Sequence, residues 1–428
     1  MANNTSRRTS RRNFLRTSTV AGGVLYSVSP GLPSFSWAGP EATAPSSPQD
    51  EEILEIPTAA YKNRVAKAQA VLANRNLDAL VVISISPENW DVAWESQYLA
   101  KHSPAIVIVP AAGDPTLIAL EPIPPRPRRI STWIADVRWG QGNEGMVDEC
   151  AGRLKDARLA KAKVALAGDF AWAAKAQLRA ALPEARLEEG NDILDHLRLV
   201  KDEYEIRFMR KAGEIADAEI RAAQLAIRPG RKIYEVVADA LHERYARGAV
   251  VTDTLLYGYS SVGSILTKRS PAGAQHQVVP GEVILYEPVV YCGHYNVETP
   301  VTFAVGKVST DQKDLADLSF EAFQAGVEKL RPGVPVLDAV KAAHAVINPK
   351  GYPLFSNGPG HFIGIANIER PPIESEPGVI LEPGMTVSFH ASFVQPGKPQ
   401  AWLGCCWLIT EKGKEAFCSM KLEPMFQV

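Results

Sequence analysis

Val283–Gly306 reads VILYEPVVYCGHYNVETPVTFAVG. Two apolar, β-branched runs flank Cys292-Gly293-His294-Tyr295-Asn296, the pattern of a β-hairpin with a short loop. Each run carries one acid, Glu287 in VILYEPVVY and Glu298 in VETPVTFAV. A carboxylate in so apolar a strand is costly unless a cation or a hydrogen-bond network holds it. The pair therefore points to a metal, with a half-solvated sheet as the alternative. Cys292 and His294 at the tip also offer a thiol and a base, but residues i and i+2 of a tight loop seldom meet as nucleophile and base.

Outward from this hairpin, the totals set bounds. A chain of 428 residues is too long for one core, so two domains are expected. The net charge of −2 carries no long like-charge runs, which gives no footprint for nucleic acid or an anionic membrane. Cys150, Cys292, Cys405, Cys406 and Cys418 are too few and too irregular for a disulfide scaffold or a zinc knuckle.

Upstream, residues 1–38 hold Ser10-Arg11-Arg12-Asn13-Phe14-Leu15-Arg16, a mildly apolar Thr17–Leu32, and small residues around Ala38. The first of these resembles the twin-arginine signal, which implies the twin-arginine translocase as partner and a periplasmic or secreted destination. Residues 39–57, rich in Pro, Ser, Ala and acid, read as a linker. Over 58–196, apolar positions predict a helix at Tyr61–Asn76, strands at Leu77–Ser84, Ala105–Val109, Thr116–Leu120 and Lys163–Ala167, and helices at Met146–Ala160 and Ala171–Leu182. This alternation means a sheet covered by helices. No cluster of His, Cys or acid stands out in it, so it reads as a packing or dimerisation domain.

The second domain, 197–428, opens with Asp202 and Glu205 in a capping-box arrangement and an apolar stripe of Ile206, Met209, Ala212 and Ala216. A second helix is expected over Ile233–Arg247. The string LRLVKDEYEIRFMRKAGEIADAEI at 197–220 and the Gly358-Pro359-Gly360-His361-Phe362-Ile363-Gly364 element resemble the pita-bread metallohydrolases, the family of aminopeptidase P, prolidase and creatinase. The resemblance implies an α/β (α+β) architecture, with a creatinase-type N-terminal domain followed by a pita-bread domain, and a homodimer.

It also implies a metal site whose contents are altered here. The family uses two Asp, one His and two Glu for two ions. Glu287 and Glu298 stand at the Asp positions, His361 at the ligand histidine, His390 at the first Glu and Gly404 at the second. The slots of two further histidines fall near Lys268-Arg269 and on Ile368, and His276 reads as a surface residue. Glu287, Glu298, His361 and His390 make a two-carboxylate, two-imidazole set that suits one divalent transition metal per subunit, Zn, Mn, Fe or Cu. Two of the family's four acids are missing, which leaves too little charge for a second ion. Arg269 and Trp402 fall where pocket-lining residues sit and are expected to contact an anionic or aromatic small molecule; no catalytic residue is assigned. The expected function is that of an exported metal-dependent hydrolase or lyase acting on a small molecule rather than on peptides. A non-catalytic binding protein on this scaffold and an Xaa-Pro aminopeptidase are the alternatives.

Overall fold

The computed structural model describes residues 54–84, 95–102, 104–123, 131–169, 172–249, 257–260, 264–267, 275–351, 358–393 and 399–428. Leu54–Val428 forms one compact unit. The signal-like stretch and most of the linker lie outside the described residues, as does Arg269.

The first half is built on a six-stranded sheet in the order β4-β3-β2-β1-β5-β6, made of β1 (Ala79–Ser84), β2 (Ala105–Pro110), β3 (Thr116–Ala119), β4 (Asp136–Trp139), β5 (Lys163–Asp169) and β6 (Arg186–Glu189). β1 pairs antiparallel with β2 and parallel with β5. Every residue of β1 is buried, because both faces of a central strand are covered by helices. Leu80 and Val82 turn toward the helix Thr58–Arg75, whereas Val81 and Ile83 turn toward the helices Gly142–Asp156 and Trp172–Ala181. The expected Met146–Ala160 helix thus begins and ends four residues earlier than its apolar pattern indicated. Gly142, with φ of 68°, and Glu144 form its first turn.

The second half pairs two sheets with two pairs of helices. β7 (Tyr257–Ser260), β8 (Ser264–Thr267), β9 (Val283–Tyr286), β12 (Val301–Ala304) and β17 (Phe426–Gln427) form one sheet in the order β17-β12-β9-β7-β8. The other runs β13-β14-β15-β16: Gly360–Phe362, Thr386–Phe393, Ala401–Thr410 and Gly413–Ala416. Glu203–Ala226 and Ile233–Ala246 cover the first sheet, and Thr310–Val327 and Val336–Ile347 cover the second. The capping box forms as expected: Asp202 accepts from the backbone N–H of Tyr204 and Glu205, and the Glu205 carboxylate accepts from Asp202 N at 2.7 Å. Among the described residues no helix is long and apolar enough to cross a membrane.

The opening hairpin is present but broken. Glu287–Pro288 and Thr299–Pro300 interrupt its two runs at facing positions, so the tip becomes a separate two-stranded arm of β10 (Val289–Cys292) and β11 (Tyr295–Glu298). The register continues across the break, with Tyr286 facing Val301 on one side and Val289 facing Glu298 on the other. Proline has no N–H to give the ladder, which is why the ribbon leaves the sheet here. Gly293 and His294 close the arm with φ of 54° and 77°, the two left-handed residues of a tight hairpin turn.

Candidate metal site and its setting

Alternation along three strands sets the site. In β14 the apolar Val387, Phe389 and Ala391 face the core under Thr310–Val327, which turns Ser388 and His390 to the opposite face. In β11, Tyr295 and Val297 pack in the other core against the entry helix, with Tyr295 stacked on Phe208 at 6.1 Å, and Glu298 takes the alternate side. β13 pairs with β14 and sets His361 opposite Ser388.

These strands bring Glu298, His361 and His390 together, with one ligand atom of each lying within 4.8 Å of the others. His361 Nε2 is 2.9 Å and His390 Nε2 3.8 Å from Glu298 Oε1. Ser388 Oγ donates to the same oxygen at 2.5 Å, and Asn367 Nδ2 donates to Oε2 at 2.9 Å. Burial acts most strongly on Glu298 and pushes its carboxyl up. The His361 charge and hydrogen bond, with His390 and Ser388, outweigh this and hold it down at about 2. The group is a buried carboxylate, not a neutral acid.

The two imidazoles differ. His361 Nδ1 lies 3.0 Å from the Phe362 carbonyl, which can only accept, so Nδ1 carries the proton and Nε2 is the atom turned to Glu298. Burial works to lower its pKa, but Glu298 raises it above the ordinary value. Burial dominates at His390 and pulls it down to about 4, against the pull of Glu298, so this ring is neutral. Its buried Nδ1 has no partner of good hydrogen-bond geometry, although the Gly358 backbone lies near enough to favour the charged form. Two imidazole nitrogens and one ionised carboxylate, converging and mostly buried, fit a single divalent cation.

Glu287, expected as a fourth ligand, stays outside this group. It sits at the strand break before Pro288, and burial together with the Glu298 charge keeps its carboxyl well above the usual range. Two carboxylates near each other without a cation between them cannot both ionise cheaply. Trp402 is 3% exposed and presents its ring edge-on to His390 at 6.2 Å. Gly404 faces His390 in the β14–β15 register. A Cβ at Gly404 would lie 2.5 Å from His390 Cβ and 2.9 Å from Pro300 Cγ, so a side chain there would collide at its first atom. His276 is not a free surface residue: its Nε2 is 2.9 Å from the buried Glu282.

Sequence reasoning missed Ser388 and Asn367, the two donors that grip Glu298. Polar alternation in Thr386-Val387-Ser388-Phe389-His390 was the signal for the first. For Asn367 there was none, because its placement depends on a distant ion pair. Buried Lys201 Nζ lies 2.6 Å from Glu369, whose Oε1 accepts from Ile365 N at 3.1 Å, and this pins the loop that carries Asn367.

A profile of the family described as metallopeptidase family M24 matches residues 207–427, more than half of the chain. The chain belongs to metallopeptidase family M24. Among M24 relatives, the Xaa-Pro dipeptidase of Pyrococcus horikoshii is 26% identical over 239 residues, which cover 54% of this chain and 66% of that protein. The probable dipeptidase PepE of Mycobacterium tuberculosis is 28% identical over 233 residues, covering 52% and 60%. The chain thus spans about two thirds or less of these relatives' length. The fold is that of dipeptidase PepE from Mycobacterium ulcerans, with a TM-score of 0.73 at 23% identity over 87% of this chain and 100% of that one. An Xaa-Pro dipeptidase from Bacillus anthracis gives 0.72 at 20% identity over 86% and 100%. The expected α/β fold, an N-terminal domain followed by a pita-bread domain, is borne out. M24 proteins are metallopeptidases that bind divalent metals, and this chain carries one cluster of metal-ligand geometry among its described residues.

Proposed function

We propose that this chain is a hydrolase that uses one divalent transition metal per subunit, Zn, Mn, Fe or Cu, to cleave an amide bond in a short peptide or peptide-like small molecule. The observation that carries the reading is the convergence of Glu298, His361 and His390 from three strands. When bound, the metal supplies Lewis acidity toward a carbonyl and toward water. The chain's own residues do the rest. Ser388 and Asn367 fix both oxygens of Glu298. The Phe362 carbonyl fixes the tautomer of His361. Burial and the Glu298 charge hold the Glu287 carboxyl well above the usual range, and we propose that it exchanges a proton with the substrate. Membership of a peptidase family favours hydrolysis over elimination. The altered ligand set still points to a substrate narrower than a general peptide, and Arg269 is proposed to contact it.

The test is elemental analysis followed by turnover. Reconstituted protein should hold one ion per subunit and hydrolyse Xaa-Pro dipeptides or simple acyl amides, and His361→Ala or His390→Ala should lose both metal and turnover. One retained ion with no turnover on any amide would support a binding protein instead. Two tightly held ions, or one that survives loss of both histidines, would overturn the assignment. We further propose export through the twin-arginine route and assembly as a homodimer. Changing Arg11 and Arg12 together to Lys should leave unprocessed precursor in the cytoplasm, as seen by fractionation.

A further inference from the structure

A pair of buried cysteines lies on the opposite face of β15 from Glu298. Along this strand Cys406 turns toward the Glu298 backbone, and Cys405 turns toward the core under Thr310–Val327. β15 runs antiparallel to β16, with Trp407 facing Ala416. One step further, Phe417 N donates to the Cys406 carbonyl at 3.0 Å, and carrying the same register one more step puts Cys405 opposite Cys418. Since a ladder bond joins Cys406 to Phe417, the pair Cys405/Cys418 falls at a non-hydrogen-bonded position. There facing Cα atoms approach to about 4.5 Å and side chains are closest. A disulfide needs a Cα separation of about 4.4–6.8 Å.

Both sulfurs belong to one buried cluster, and neither is bridged. Burial first, and the neighbouring Cys418 second, push the Cys405 thiol well above its usual range, while its own hydrogen bond goes to the Cys406 carbonyl at 3.4 Å. Cys405 is fully buried, but Cys418, 8% exposed, lines an open groove of about 430 Å³ with Phe320, Phe323, Trp407 and Met420. Of the two, Cys418 is the one that borders the groove, and Cys405 lies behind it in the core.

We propose that Cys405 and Cys418 form a redox-active dithiol that a low-molecular-weight disulfide oxidises to a cross-strand bridge. Cys418 sulfur attacks the entering disulfide, whose S–S bond breaks; one thiol leaves with the Cys418 proton and a mixed disulfide remains. Cys405 sulfur then attacks Cys418 sulfur, and the second thiol leaves with the Cys405 proton. Two protein thiols and one disulfide become one protein disulfide and two thiols. The proposal is independent of the metal reading, since both cysteines face away from Glu298.

The experiment treats the reduced full-length chain with oxidised glutathione, then counts free thiols and maps peptides without reduction. The five thiols should fall to three, with a single internal cross-link joining residues 405 and 418. Cys405→Ser should stop at a glutathione adduct on Cys418, and Cys418→Ser should leave Cys405 unmodified. A stable glutathione adduct on wild-type Cys418, five thiols unchanged, or a bridge between any other pair would overturn the proposal. The wild-type map decides this even where a variant fails to fold.

Discussion

At the scale of single residues, Gly404 shows how a ligand set is rewritten by sterics. The glycine does not merely lack a carboxylate, because His390 and Pro300 occupy the volume where one would start. Gly404→Ala should cost about 1–3 kcal/mol in denaturant unfolding and should also weaken metal retention by displacing His390. An unchanged midpoint with normal metal content would show that the strands open easily there. Ser388→Ala gives a second test. It removes a charge-assisted donor from a buried carboxylate, an effect of about 1.5–3 kcal/mol, and should loosen metal binding without altering the fold. His361 and Glu298 were legible in the sequence because each stands in a patterned motif. Glu287 stands at the strand break before Pro288 and is not in the cluster of three, and its apolar strand pattern gives no sign of that break.

At the scale of elements, the capping box of Glu203–Ala226 was readable from Asp202 and Glu205 alone, but its coupling to the first domain was not. Arg64, on the helix Thr58–Arg75, lies 2.8 Å from Asp202 and 3.6 Å from Glu205, a contact that spans 138 residues of sequence to Asp202. Burial, opposed by Arg64 and assisted by Asp202, pushes the Glu205 carboxyl up to about 7. The folded chain therefore holds this proton more tightly than the unfolded chain, where the group titrates near 4.5. The associated stability is fully present below pH 4.5 and is lost as pH rises through 7. Glu205→Gln keeps the acceptor for Asp202 N and cannot ionise. Relative to this variant, wild type should lose roughly 3 kcal/mol between pH 4.5 and 8, read by urea unfolding at several pH values. Parallel profiles for the two proteins would remove Glu205 as the cause.

At the scale of the molecule, the two halves that the sequence pattern separates pack into one unit with a shared core. Arg64 is the polar part of that seam, stacked over Tyr98 at 4.6 Å. Arg64→Ala would strand Asp202 and Glu205 at a buried interface, at a cost of about 3–5 kcal/mol, lowering the thermal midpoint of the whole unit rather than of one half. Two separated transitions in wild-type calorimetry would contradict this. The spacing of the three ligands along the chain has a further consequence, for the order of events in biosynthesis. Glu298, His361 and His390 are drawn from separate strands, and His390 must pair with β15 before its ring is set. A nascent chain that has not yet released β15 from the ribosome has no assembled binding site. On the proposed metal reading, the ion is expected to enter a cavity already formed, so chelation should leave a protein with native circular dichroism that reloads without refolding.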